Sequence, residues 1–184
     1  MPRQVFDYEQ PERFIVGTVG APGERVFYLQ AVDGLRTTSV IVEKEQAIIL
    51  GERMDSLLGE MARRGVEGIP DEYTASDLDL DPLTAPVVDE FRAGTLALGW
   101  NGSSDLIIVE AHAQTDGEED VPDLDEESDD GPDVLRVRVT PAAARAFSER
   151  TRRVVSAGRP PCPFCLEPLD PRGHICPRAN GYRR

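Results

Sequence analysis

Lysine is nearly missing from this chain: of 20 basic residues, 19 are arginine and one is lysine, Lys44. Cysteine is scarce too, with three residues, as is histidine, with two. An odd and small cysteine count argues against a disulfide framework. Two histidines leave few candidates for acid–base chemistry near neutral pH. Aromatic residues make up 6% of the chain, so flat side chains on which nucleic-acid bases could stack are few. No apolar run approaches the roughly 20 residues of a membrane-spanning helix, so no membrane partner is expected. The first residues, Met1 to Asp7, lack the apolar stretch of a signal peptide. A cytoplasmic location is the expectation.

What is present is unevenly placed. The 184 residues carry a net charge of −14. Residues 115–133 hold eleven acids and no base, whereas residues 145–184 hold nine arginines against three acids. The acidic stretch lacks the ligand spacing of a calcium loop. It reads as a solvated hairpin loop, attracted weakly to the chain's own basic end.

Periodicity divides the chain into two similar halves. Residues 13–19, 25–32 and 37–42 read as strands, with Phe27, Leu29 and Ala31 on one face of the second. Residues 44–64 then read as a helix, with Ala47, Leu50, Gly51, Met54, Leu57, Leu58 and Met61 forming an apolar stripe. Residues 91–99, 105–113 and 134–139 repeat the three strands. A second helix follows from Pro141, capped by Thr140. Val42–Arg53 aligns with Val139–Arg150 at a fixed offset of 97, and Arg25–Ala31 aligns with Asp105–Ala111.

The expected fold is α+β: two tandem strand-strand-strand-helix repeats with antiparallel sheets and pseudo-twofold symmetry, followed by a short C-terminal zinc-binding tail. The first repeat spans 1–64, a connecting segment 65–89, the second repeat 90–158 with its acidic loop at 115–133, and the tail 159–184. In the connection, Leu78, Leu80 and Leu83 are expected to pack in part.

The tail carries the sharpest chemistry. Cys162, Cys165, His174 and Cys176 follow a C-x2-C-x8-H-x-C spacing. Prolines stiffen the first pair, and Gly173 frees the backbone before the second. Three thiols and one imidazole suit tetrahedral zinc, and four filled positions make the ion structural rather than hydrolytic.

The strand Val26-Phe27-Tyr28-Leu29-Gln30-Ala31 and the ending Cys-Pro-Phe-Cys through His-Ile-Cys-Pro resemble an uncharacterised actinobacterial family. Its members carry only a "domain of unknown function" or "repeat protein" label. The resemblance spans essentially the whole chain. It implies a cytoplasmic bacterial protein and supplies no catalytic residues.

Three classes of function follow. The first is a non-enzymatic interaction or adaptor module with a structural zinc site and an unidentified protein partner. The second is a binder of single-stranded or structured nucleic acid. Its polyanion contacts would be Arg150, Arg152, Arg153, Arg159, Arg172, Arg178, Arg183 and Arg184, with Phe164 and Tyr182 stacking on bases. The third is an enzyme whose site the sequence does not reveal; no catalytic residue is assigned. His112 reads as a surface strand residue, and Gly17–Gly23 as a hairpin turn rather than a phosphate loop.

Overall fold

A computed structural model describes residues 3–115, 123–125, 127, 130–158, 161–167, 169, 173–176 and 178. The fold is mixed α+β. Strands β1 (Val5–Glu9), β2 (Arg13–Val19), β3 (Val26–Asp33) and β4 (Arg36–Val42) precede helix α1 (Lys44–Arg63). Strands β5 (Asp89–Asn101), β6 (Leu106–Ala113) and β7 (Val134–Val139) precede helix α2 (Pro141–Ser156). Neither helix is long and apolar enough to cross a membrane.

Local chemistry starts both helices. The Gln46 side chain accepts the Glu43 backbone N–H at 2.8 Å ahead of α1. Thr140 Oγ1 accepts from Ala143 N at 3.2 Å, and Pro141 occupies the first turn of α2.

The strands form one seven-stranded sheet in the order β1-β7-β6-β5-β4-β3-β2. It is not wholly antiparallel: β1/β7 and β4/β5 run parallel. The β4/β5 junction is thin, with two paired positions and a register shift between them. The sheet bends strongly. In a flat sheet β1 and β4, four steps apart, would lie roughly 19 Å from each other. Yet Tyr8 Oη and Thr38 Oγ1 are 2.8 Å apart, and the Arg36 guanidinium sits 4.1 Å from the centre of the Tyr8 ring.

Both helices fill the inside of this curl. Val16, Leu29, Val40, Ile107, Val109 and Val137 from the strands join Leu50, Met54, Leu58 and Phe147 from the helices in one core. Phe14 stacks on Phe147 with ring centres 4.7 Å apart. The helices touch closely where α1 has no side chain. A Cβ on Gly51 would lie 3.3 Å from Thr151 Cγ2, and Ser148 Oγ donates to Gly51 O at 3.1 Å.

The outer face of the sheet is covered twice, by the same device. On β2–β3, Leu83 lies where a side chain of Gly17 would be, 2.4 Å from that hypothetical Cβ. The next residue, Thr84, donates its N–H to Gln30 Oε1 at 2.7 Å and accepts from Gln30 Nε2 at 3.0 Å. On β5–β6, Leu124 lies 2.2 Å from a hypothetical Cβ on Gly99, and the next residue, Asp125, donates its N–H to Glu110 Oε1 at 3.0 Å. Gly17 pairs with Tyr28 and Gly99 with Ile108. Tyr28 and Gln30 are the residues that the repeat alignment lays over Ile108 and Glu110.

Several expectations are corrected here. Strand β1 is absent from the reading because its five residues, with Phe6 and Tyr8 alternating against Asp7 and Glu9, are too short to stand out. Strand β5 starts at Asp89 and runs on through Trp100 and Asn101, past both ends of the expected 91–99. Much of the acidic loop, residues 116–122, 126, 128 and 129, lies outside the described residues. Its middle is not simply solvated, because Asp125 pairs with Arg138 and approaches Arg136 Nε at 3.7 Å. Those partners are on β7, not in the basic tail.

His112 is not a surface residue. It is fully buried, with Nε2 2.9 Å from Glu110 Oε2. The sheet's outer face is roofed there, so alternation alone does not report exposure. Burial pushes the Glu110 carboxyl up, but hydrogen bonds from His112, Arg136 and the Asp125 backbone outweigh it and hold it at about 2. A folded-state value below the ordinary 4.5 stabilises the fold above that pH, and the gain is lost as pH falls from about 4.5 towards 2. Glu110→Gln leaves Arg136 without its carboxylate and is expected to cost about 3–5 kcal/mol at neutral pH. Urea titrations should show the wild-type midpoint falling through that acid window and the variant's midpoint changing less. Parallel acid profiles would refute this account.

Candidate metal centre

Helix α2 ends at Ser156, and the Ala157 N–H closes the last turn on Arg153 O at 3.0 Å. The chain then forms a tight loop around Cys162, which lies between Pro161 and Pro163. Cys162 N donates to Glu167 O at 2.7 Å, and Leu166 N donates to Cys162 O at 2.9 Å. Leu166 closes the loop in the left-handed region, at φ 64°. Gly173, at φ 122°, turns the chain back to bring His174 and Cys176 to the loop.

The four sequence-predicted ligands converge. Cys162 Sγ and Cys176 Sγ are 3.7 Å apart, Cys165 Sγ and His174 Nε2 are 3.2 Å apart, and all four ligand atoms lie within 4.8 Å of one another. Four ligands around an ion with metal–sulfur bonds of about 2.3 Å stand about 3.8 Å from each other at tetrahedral angles. The cluster therefore has the size of a tetrahedral metal site. Cys162 and Cys176 are buried, and Cys165 and His174 half-buried.

Electrostatics favour a cation at its centre. Backbone N–H groups of Cys165 and Phe164 point at the Cys162 sulfur and pull its pKa down to about 6. Burial pushes the Cys165 thiol up, and its neighbours Cys162 and Cys176 add to the rise. Three sulfurs this close cannot all be thiolates without a positive charge between them. A bound dication supplies that charge.

The eight arginines assigned to polyanion contact differ in their surroundings where the structure describes them. Arg159, Arg172, Arg183 and Arg184 lie outside the described residues, as does Tyr182. Arg150 is buried, and its assignment is corrected: Nε donates to Val16 O at 2.8 Å, Nη2 to Asp81 O at 2.7 Å, and Nη1 to Asp79 O. It ties α2 to β2 and to the connecting segment. Arg152 pairs with Asp55 at 2.9 Å and with Glu149. Arg153 pairs with Glu149 at 2.7 Å and lies over the Tyr73 ring. Arg178 reaches Phe164 O at 3.4 Å, and Phe164 is exposed.

A family model described as "Protein of unknown function (DUF3090)" matches residues 6–176. No curated protein and no solved structure matches the chain.

Arg150→Ala would strand three backbone carbonyls at the α2–β2 contact. It is expected to lower stability by about 3 kcal/mol in urea unfolding. Arg150→Lys should recover only part of this, because an ammonium cannot span the same fork. A neutral effect of Arg150→Ala would return this residue to the surface.

Proposed function

We propose that this chain, which belongs to the DUF3090 family of proteins of unknown function, is a non-enzymatic interaction protein whose C-terminal segment folds around one structural zinc ion. The observation that carries the reading is the convergence of Cys162, Cys165, His174 and Cys176 within 4.8 Å. Four protein ligands fill a tetrahedral shell and leave no position for a reacting water. Zinc suits a set of three sulfurs and one nitrogen, and it does not change oxidation state. The two histidines of the chain are both committed, His174 to the cluster and His112 to the buried contact with Glu110. The free thiols fit a reducing, cytoplasmic setting.

The body is proposed to be a duplication with a pseudo-twofold axis along the strand direction. Three correspondences support it. Gly17 and Gly99 each accept a leucine, Gln30 and Glu110 each accept the following N–H, and Gly51 meets Ser148 at the alignment's own offset of 97. The interaction role is our reading of a scaffold that carries a small metal-held segment at its end.

The test is metal content together with limited proteolysis. Protein purified from zinc-supplemented medium should carry one zinc per chain. Cys162→Ser should lose it, and the segment beyond residue 158 should become protease-sensitive. The body should keep its melting temperature within a few degrees, because none of the four ligands belongs to the main core. Metal-free protein in which all three thiols alkylate at equal rates would end the proposal.

A further inference from the structure

A recess of about 730 Å³ opens where α1 begins, beside the end of α2. None of the four clustered ligands Cys162, Cys165, His174 and Cys176 lines it, and no part of the zinc proposal depends on it. Three cations line it, Arg25, Lys44 and Arg92, against one acid, Glu43. On a chain of net charge −14 this is a local positive island, and Lys44 is the only lysine. Glu43 already pairs with Arg92. Among the described residues, the Lys44 ammonium has no ion-pair partner. Arg25 Nη1 is held by Ala157 O at 2.8 Å, while its Nε is buried with no partner among the described residues. The cations are thus only partly neutralised.

The rest of the lining is different in kind. Phe27 and Val155 give it an apolar wall. Such a volume, with one apolar side and a few convergent polar groups, suits a small organic molecule rather than a bare ion. The helix terminus is not the source of the attraction, because the Gln46 side chain already closes that end on Glu43 N. A second recess, beside Val139, measures about 90 Å³ and is lined by Arg13, Asp79 and Arg150 among others. Both arginines bond Asp79 there, with Arg13 Nε 2.6 Å from Asp79 Oδ2 and Arg150 Nη1 3.4 Å from Asp79 Oδ1. The cations of that recess are met by an acid of the chain, whereas among the described residues the Lys44 ammonium is not.

We propose that this recess binds an organic phosphate of about mononucleotide size. Its phosphate groups would lie among Arg25, Lys44 and Arg92, and its apolar or planar body against Phe27 and Val155. Guanidinium forks and an ammonium are the side chains suited to phosphate oxygens, and the wall supplies what inorganic phosphate would not use.

Isothermal titration of the full-length, metal-loaded protein tests this with two probes, pyrophosphate and ADP. Both should bind once per chain, ADP more tightly. Lys44→Gln and Arg92→Gln should each weaken both probes about tenfold. Lys44 makes no contact on which the fold depends, so that variant should melt with the wild type. Arg178→Gln, on the cysteine-bearing segment, should leave binding unchanged. Absence of saturable binding, equal affinity for pyrophosphate and ADP, or weakening by Arg178→Gln but not by Lys44→Gln would each overturn the proposal.

Discussion

Gly51 offers no side chain at the point where the two helices meet; the Thr151 methyl comes up against that space, and the Ser148 hydroxyl bonds the Gly51 carbonyl. That close approach sets the dimensions of the molecule. The sheet can wrap both helices only if together they are narrow, and it is the wrapping that lets Tyr8 reach Thr38 across three intervening strands. It also brings the start of α1 beside the end of α2, the walls of the cationic recess. A larger residue at position 51 would push against Thr151 and open the curl from within.

The two faces of the sheet are held by different physics. Inside, aliphatic strand residues pack on the helices and lose their water without needing partners. Outside, the buried groups include the polar side chains of Gln30, Ser39, Glu110, His112 and Arg136, which burial presses to find partners in place. Leu83 and Leu124 keep water away while the neighbouring backbone N–H groups complete the hydrogen bonds. Gln30 does this as a neutral amide. Glu110 does it as a carboxylate and therefore needs cations nearby, which makes this cover, unlike the one over Gln30, sensitive to acid.

Much of this was legible in the sequence. Six of the seven strands and both helices follow from alternation and from apolar stripes such as Leu50–Met54–Leu58. The four ligands stand out because scarce residues cluster, and spacing is a local property. What could not be read is long-range. Arg150 looks like a charge in an exposed basic run, and only the curl brings the Val16 and Asp81 carbonyls to it. His112 sits on an alternating strand whose outer face should be wet, yet it is fully buried beside Glu110. Val5–Glu9 carries too few apolar positions to announce a strand without β7 beside it.

The placement of β1 bears on how the chain can fold as it is made. It is the first strand in sequence, yet among the described residues its neighbour in the sheet is β7, with Val5 opposite Val134. Ribosomal synthesis is vectorial, so β1 emerges long before the strand it pairs with. β2, β3, β4 and α1 can assemble early from near neighbours, whereas β1 must wait, its backbone groups unpaired, until the other half exists. Its acids at Asp7 and Glu9 keep that waiting strand charged, which discourages pairing with the wrong edge. The N-terminal strand is therefore among the last elements to lock, and it closes the second half of the molecule, not the first.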